Sequence, residues 1–171
     1  MRYVRLHGPN GIFSFCRPHS TAQHFVDLIE LPLIALINVR EFRITDFDYV
    51  AYPLPSLPAL ETLATQSDKG VSDILSALLS NPASSPSLNT IAFLNCSLSE
   101  DFMEKLTQFA YNRKNTSNSA WLDRVLIVHW KGQFPSADSI RRLRSRVTIV
   151  DVRMDGGRDF ADSHIKRYLA G

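Results

Sequence analysis

The fold is decided by the stretch Leu88-Asn-Thr-Ile91-Ala-Phe93-Leu-Asn-Cys96-Ser-Leu98. The alternation of Ile91 and Phe93 predicts a strand with one buried face. Cys96 falls where a small buried side chain fills the turn that leaves the strand. The stretch meets the spacing LxxLxLxx(N/C)xL at every fixed position, with Ile and Phe replacing two leucines. A spacing of this kind is typical of a structural repeat.

Weaker copies of the first six positions occur before and after this stretch. They begin at Met1, Val39, Leu60, Leu122 and Val147, with Thr65 in the third slot of the copy that begins at Leu60. Including Leu88, successive starts are separated by 38, 21, 28, 34 and 25 residues. These intervals scatter around the 20–29 residues of leucine-rich repeats, with some longer units. The chain is therefore predicted to be a repeat array.

The segments between the strand patterns favour helices. Residues 99–110 have apolar positions at helical spacing, with Ser99 as N-cap and Glu100 and Asp101 in the first turn. Arg113 and Lys114 follow at the C-terminal end, where cations are favoured. Further helices are predicted at 20–29, 71–79 and 136–143.

Alternating strands and helices predict an α/β fold with a parallel sheet. We expect an irregular leucine-rich-repeat solenoid, with about six parallel strands on one face and helices on the other. Residues 1–154 would form this domain, and residues 155–171 a C-terminal tail or cap.

Composition bounds the class of protein. The 171 residues carry a net charge of +2, too balanced to imply nucleic-acid binding by charge alone. Two cysteines, Cys16 and Cys96, form neither a disulfide framework nor a paired metal motif. The N-terminus breaks its apolar residues with charges, and no apolar run approaches the length that spans a bilayer. We therefore predict an intracellular protein without membrane spans, metal or cofactor.

The region from about Leu57 to Met154 resembles a known family. The resemblance is carried by Ser84-Ser-Pro-Ser-Leu-Asn-Thr-Ile-Ala-Phe-Leu-Asn-Cys, by Trp121-Leu-Asp-Arg-Val-Leu-Ile-Val-His and by Phe134-Pro-Ser-Ala-Asp-Ser-Ile-Arg-Arg-Leu. These stretches are similar to the C-terminal leucine-rich part of F-box-like proteins of mushroom-forming fungi. The resemblance implies a recognition solenoid, often the substrate-reading half of a ubiquitin-ligase adaptor.

The chain departs from that family at its N-terminus. An F-box is a helical segment that docks an adaptor protein, whereas this chain starts directly in a repeat strand. The resemblance therefore does not extend to ligase recruitment. We expect either a shortened relative or part of a longer protein, and the family supplies no catalytic residues.

A binding face follows from the strand alternation. If Val4 and Leu6 point into the core, residues of the opposite parity lie on the concave face. Apolar residues at the centre and charged residues at the ends predict a protein-binding patch with a polar rim. The alternative is that both faces of a parallel sheet are covered and these residues are buried. The predicted partner-binding residues are Tyr3, Arg5, Arg43, Thr90, Ala92, Leu94, Arg124, Leu126 and Val128.

Two other function classes stay open. A hydrolase or nuclease would assemble scattered His, Asp and Glu side chains, although the five histidines stand in no recognised motif. A weak nucleic-acid binder would use the basic cluster 141–146, with Arg141, Arg142 and Arg144 as phosphate contacts. No Trp or Tyr alternates with these arginines along the sequence, so we consider nucleic acid the weaker interpretation. The favoured function is a non-enzymatic protein-interaction module.

The N-terminal strand predicts a second kind of contact. Repeat arrays need capping units, because an uncapped end exposes apolar surface and a strand edge. Met1 begins in a strand with no cap before it. We therefore expect self-association through this strand, or an N-terminal extension that covers it.

Overall fold

The computed structural model describes residues 2–8, 11–17, 37–45, 56–66, 70–94, 96–116, 119–128 and 135–153. The seven strands are β1 (Arg2–Gly8), β2 (Gly11–Arg17), β3 (Glu41–Thr45), β4 (Thr62–Gln66), β5 (Thr90–Leu94), β6 (Arg124–Val128) and β7 (Ile149–Arg153). The α-helices of the described residues are α1 (Gly70–Ser80), α2 (Glu100–Lys114) and α3 (Ala137–Arg144), and a 3₁₀ turn spans Pro82–Ser84. The predicted helix at 20–29 and the predicted tail at 155–171 lie outside the described residues.

The strands form one sheet in the order β2-β1-β3-β4-β5-β6-β7. The five strands β3 to β7 are parallel, and their register aligns Glu41 with Thr62, Thr90, Arg124 and Ile149 in turn. The residue numbers in this register differ by 21, 28, 34 and 25, the same intervals that the sequence pattern predicts. The α/β class and the alignment of these five strands are therefore confirmed.

The first predicted repeat strand is wrong in direction. β1 runs antiparallel to β3, so the parallel part of the sheet has five strands and not about six. Alternation of buried and exposed side chains is the same whichever way a strand runs. A pattern of apolar positions therefore detects β1 but cannot fix its orientation.

β2 was not predicted at all. It pairs antiparallel with β1 from Arg2↔Arg17 to Gly8↔Gly11, so only Pro9 and Asn10 separate the two strands. Gly-Pro-Asn-Gly between two alternating segments is a typical hairpin signal. The six-residue repeat template spans only the first half of this hairpin, and so it overlooks the second.

The helices pack on one face of the parallel strands and bury a continuous core. Ser99 caps α2 by accepting a hydrogen bond from Phe102 N at 3.1 Å, and Ser136 caps α3 by accepting one from Ser139 N at 3.2 Å. Both caps confirm the predicted helix starts. The core joins Ile91 and Val125 of the strands to Leu75, Leu106 and Leu143 of the three helices.

The entry to successive strands repeats one backbone contact. The carbonyl of Arg40 accepts from Glu61 N and Thr62 N, and the carbonyl of Glu61 accepts from Asn89 N and Thr90 N. The carbonyl of Asn89 then accepts from the next unit in the same way, at 2.8 and 3.0 Å. Equivalent positions of successive units are therefore held by equivalent bonds, although the units differ in length.

Cys96 lies at the exit of β5, as the pattern predicts. Its thiol is 1% exposed and lies 3.5 Å from the carbonyl oxygen of Thr65 in the preceding strand unit. A second contact of 3.2 Å joins the thiol to the Leu94 carbonyl oxygen. A small, weakly polar side chain therefore fills the turn and contacts backbone carbonyls of two units.

Arg113 is a buried cation that ties loops together. Its guanidinium donates to the carbonyl oxygens of Ser85 at 3.1 Å, Pro86 at 2.9 Å, Leu88 at 2.7 Å and Ala120 at 2.9 Å. The residue is 1% exposed. Burial lowers its pKa to about 10, which still leaves it protonated near neutral pH. Sequence reasoning assigned Arg113 only to the helix dipole, so its role as a clamp was missed.

We expect Arg113→Met to destabilise the fold by on the order of 3 kcal/mol, because it leaves several carbonyl groups without their charged donor. Denaturant unfolding should show a lower midpoint with an unchanged slope. Arg144→Met is the matched control, since Arg144 is exposed on α3, and it should change stability by less than about 0.5 kcal/mol. Equal stability of the two variants would contradict the clamp.

Candidate functional site

The apolar centre of the predicted concave face is buried. Ala64, Ala92 and Leu126 form a second hydrophobic cluster, separate from the core beneath the helices, and are 2%, 1% and 5% exposed. Leu94 and Val128 are 9% and 3% exposed. The burial favours the alternative that both faces of the sheet are covered at these positions.

The predicted polar rim is mixed. Arg43 is 4% exposed and forms an ion pair with the Glu41 carboxylate, so it is not an exposed rim residue. Thr90 and Arg124 begin their strands in register and are half-buried. On β1, Arg5 is aligned with Arg43, and Tyr3 with Thr45. These residues therefore lie in one sheet. Arg43, Thr90 and Arg124, however, are buried or half-buried and offer little surface to a partner.

The premise of self-association through the first strand is wrong. β1 is hydrogen-bonded on both sides, to β2 and to β3. The hairpin partner β2 therefore occupies the edge that the sequence pattern left open. The first strand at this end of the described sheet is therefore β2 and not β1.

The arginine cluster divides between two faces of α3. Arg141 is exposed and pairs with Asp138 at 2.9 Å. Arg142 and Arg146 are four residues apart and both line a groove against α2. The three predicted phosphate contacts, Arg141, Arg142 and Arg144, therefore do not form one surface, because only Arg142 lines the groove.

The groove between α2 and α3 is the candidate site, and we call it the α2–α3 groove. Its volume is about 310 Å³, and it is open to solvent. One wall comes from α2 and the other from α3 and the turn after it. The lining residues are Met103, Glu104, Thr107, Gln108, Tyr111, Ser139, Arg142 and Arg146.

Two cation–aromatic pairs lie near the C-terminal end of α2, and we call them the aromatic edge (Tyr111, Lys114, Trp121 and Arg146). Of these four residues, Tyr111 and Arg146 line the groove. The Arg146 guanidinium carbon lies 4.9 Å from the centre of the Tyr111 ring. Lys114 Nζ lies 5.3 Å from the centre of the Trp121 ring. Tyr111 and Lys114 are one turn apart on α2, which brings the two pairs together. Each of the two exposed rings thus has a cation beside it.

The aromatic residues of this edge are exposed and firmly placed. Tyr111 is 45% exposed and Trp121 is 58% exposed. Ala120, next to Trp121, donates its N–H to the Pro86 carbonyl at 2.7 Å and accepts a hydrogen bond from Arg113 at 2.9 Å. The backbone that carries Trp121 is therefore fixed by the Arg113 clamp, with the indole directed outward.

Sequence reasoning missed the aromatic edge because it compared neighbours along the chain. Tyr111, Trp121 and Arg146 come from α2, from the segment before β6 and from the turn after α3. The helical spacing of Tyr111 and Lys114 was the one signal available. Only the parallel arrangement of α2 and α3 brings Arg146 over the Tyr111 ring.

Glu100 joins the two helices at the opposite end of the groove. It is the first residue of α2, and its carboxylate accepts hydrogen bonds from Ser136 N at 2.6 Å and from the Ser139 hydroxyl. The bond from the Ser139 hydroxyl, then that from the Ser136 amide, and the nearby Arg142 charge lower the pKa of Glu100 below its ordinary value. Both ends of α3 therefore contact α2.

The described residues contain no group of three His, Cys, Asp or Glu side chains placed to hold a metal ion. Of the histidines, His7 belongs to β1, and His19, His24, His129 and His164 lie outside the described residues. Within the same residues, the helices are too short or too polar to cross a lipid bilayer.

No protein-family model, curated protein or solved structure matches this chain.

We expect Leu94→Asp to destabilise the fold by about 3 kcal/mol, because it places a charge at a buried position. Ile149→Asp is the control, since Ile149 is 43% exposed, and it should cost less than about 1 kcal/mol. Unfolding midpoints in denaturant separate the two variants. A folded Leu94→Asp protein of unchanged stability would show that the sheet face is open there.

The Glu100 contact predicts a pH dependence. Its folded pKa lies below the unfolded value of 4.5, so its stabilisation is complete above pH 4.5 and is lost as pH falls through the folded pKa. The stability difference between wild type and Glu100→Gln should be small near pH 7, because the carboxylate is exposed. Urea unfolding from about pH 7 to about pH 3 should show that difference shrink. A constant difference over this range would contradict a role for the charge.

Proposed function

We propose that the chain is a non-enzymatic protein-interaction module built as an irregular leucine-rich-repeat array. The equal register of five parallel strands supports this proposal. So do the repeated backbone bonds at the strand entries and the buried Cys96 at a strand exit. The resemblance to the recognition part of mushroom F-box-like proteins agrees with it. An intracellular location stays a prediction.

We place the binding surface on the helical face and not on the sheet face. The single observation that carries this step is the aromatic edge, with Tyr111 and Trp121 exposed beside cations. Trp, Tyr and Arg are the residues most enriched where interfaces gain most of their binding free energy. In the free chain, the apolar surface of the two rings is in contact with water. A partner that covers this surface would gain the free energy of its burial. On the sheet face, Ala92 and Leu126 are already buried.

A nucleic-acid function is the second candidate, and the aromatic edge gives it a specific basis. Aromatic rings beside cations can stack bases and contact phosphates. Against it stands the distribution of charge, because Arg141 is paired with Asp138 and lies away from the groove. A phosphate backbone requires several cations along one path. Protein binding therefore fits this surface better.

We expect the double variant Tyr111→Ala/Trp121→Ala to lose most of the proteins that the wild-type chain captures reproducibly from an extract of its source cell. Removing both rings deletes the exposed apolar area but leaves the core intact. Quantitative mass spectrometry of the captured fraction measures the loss. Ser76→Ala, at an exposed position on α1, is the matched surface control and should capture as wild type does.

The variant Ile149→Glu examines the sheet face in the same experiment, since Ile149 is an exposed residue of β7. It should capture the same proteins as wild type. Loss of capture in Ile149→Glu alone, with the double variant unaffected, would show that the partner binds the sheet face and that our placement is wrong.

A further inference from the structure

We propose that the α2–α3 groove binds a short acidic peptide segment of a partner protein, with a carboxylate side chain held between Arg142 and Arg146 and an apolar side chain on Tyr111. The proposal rests on the proposed interaction function and adds the chemistry of the partner. It concerns the helical face, where the exposed rings and the arginines meet.

Each wall of the groove carries a row of polar or charged side chains at helical spacing. On α2, Glu104, Gln108 and Tyr111 follow helical spacing along one face. On the other side, Arg142 and Arg146 follow the same spacing along α3 and its final turn. Glu100 contacts Ser136 at one end, and Arg146 lies over Tyr111 at the other, so the helices run side by side along the groove. An extended peptide can therefore lie along it.

Two cations near the Tyr111 end of the groove lie over aromatic rings. Within the described residues, neither Arg146 nor Lys114 forms an ion pair with a carboxylate, and each instead lies over an aromatic ring. Arg142 donates to the Ser139 hydroxyl at 3.1 Å, which orients its guanidinium, and its charge lies near the Glu100 carboxylate. A ligand carboxylate would supply the planar acceptor that a guanidinium binds best.

The lining also discriminates between acidic peptide and nucleic acid. Two arginines and one glutamate contribute the formal charges of the lining. Glu104 in the groove and the exposed Asp123 beside Trp121 would repel a continuous chain of phosphates. A peptide can place one carboxylate against the arginines and put neutral residues near Glu104. The charge pattern therefore favours separate acidic side chains.

The lining of the groove also favours an apolar side chain in the bound peptide. Met103 lines it and is fully buried, whereas Tyr111 at its end is 45% exposed. Gln108 is an exposed amide in the same wall and already donates to Asn112 Oδ1 at 2.7 Å. An apolar side chain next to the ligand carboxylate would cover the Tyr111 ring. This pairing of acidic and apolar residues is the sequence that we expect the groove to select.

The test selects binders from a displayed library of random dodecapeptides on the full-length chain. Enriched peptides should contain an excess of Asp or Glu next to an aromatic or aliphatic residue. Synthetic copies should bind about tenfold more weakly to Arg142→Gln/Arg146→Gln, because two charge-assisted contacts are lost. Enrichment without acidic residues, or no enrichment, would overturn the proposal.

The matched control is Arg141→Gln/Arg144→Gln, which removes the same number of positive charges from α3 at positions that do not line the groove. It should weaken binding less than about twofold, because distant exposed charges are screened. Equal weakening in both double variants would overturn the proposal, since it would show a general charge effect. Circular dichroism and the unfolding midpoint of each variant confirm that it is folded.

A second arm uses single-stranded oligo(dT) of twelve nucleotides with four proteins: wild type, both arginine double variants and Tyr111→Ala/Trp121→Ala. We expect no binding that depends on Arg142 and Arg146. Oligonucleotide binding that these residues control, together with no acidic peptide, would assign the groove to nucleic acid instead. If Tyr111→Ala/Trp121→Ala loses cellular partners while acidic peptides never bind, the interaction function stands and only the acidic chemistry fails.

Discussion

The register of the parallel strands is the constraint from which the other features follow. Parallel neighbours must start at the same level of the sheet, and each returning segment has to pass over one face. Here the units between equivalent positions differ by as much as thirteen residues in length, from 21 to 34. The entry carbonyls of Arg40, Glu61 and Asn89 nevertheless make the same bonds. Length differences are therefore absorbed in the loops, away from the sheet.

Loops of different length contain backbone carbonyl groups that have no partner in a helix or strand and need other hydrogen-bond donors. The longest unit lies between β5 and β6 and contains α2. Arg113, near the end of that helix, donates to four carbonyl oxygens from two loops. Its charge needs no carboxylate partner, because several carbonyl dipoles can stabilise a guanidinium that is out of contact with water. One buried cation thus supplies donors to the loop before β5 and to the loop after α2.

What the sequence predicts is limited to what repeats along the chain. The apolar pairs Ile91/Phe93 and Val125/Ile127 have a period of two, so strand positions and register could be inferred before the structure. The direction of β1 could not, since a period is the same in both directions. The role of Arg113 was hidden because a cation near a helix end has an ordinary explanation. The stacking of Arg146 on Tyr111 depends on helix packing, which residue patterns leave undetermined.

The two faces of the sheet therefore contribute in different ways. Small residues such as Ala64 and Ala92 on the face opposite the helices form a compact second cluster. This face stabilises the sheet by burying apolar area, and at these positions it has little surface left to offer a partner. On the helical side the strand residues are covered by α1, α2 and α3. The exposed aromatic rings on this side, Tyr111 of α2 and Trp121 before β6, come together near the C-terminal end of α2.

The end of α2 serves both stability and the proposed site, through two consecutive residues. Arg113 points inward to the loop carbonyls, and Lys114 points outward over the Trp121 ring. Because Arg113 also holds Ala120, the orientation of Trp121 depends on a residue that is itself buried. A substitution at Arg113 would therefore disturb the aromatic edge, although the buried Arg113 side chain would not contact a partner itself. Loss of binding in such a variant carries no information about contacts, whereas changes at Lys114, Tyr111 and Trp121 leave the clamp in place and report on the surface itself.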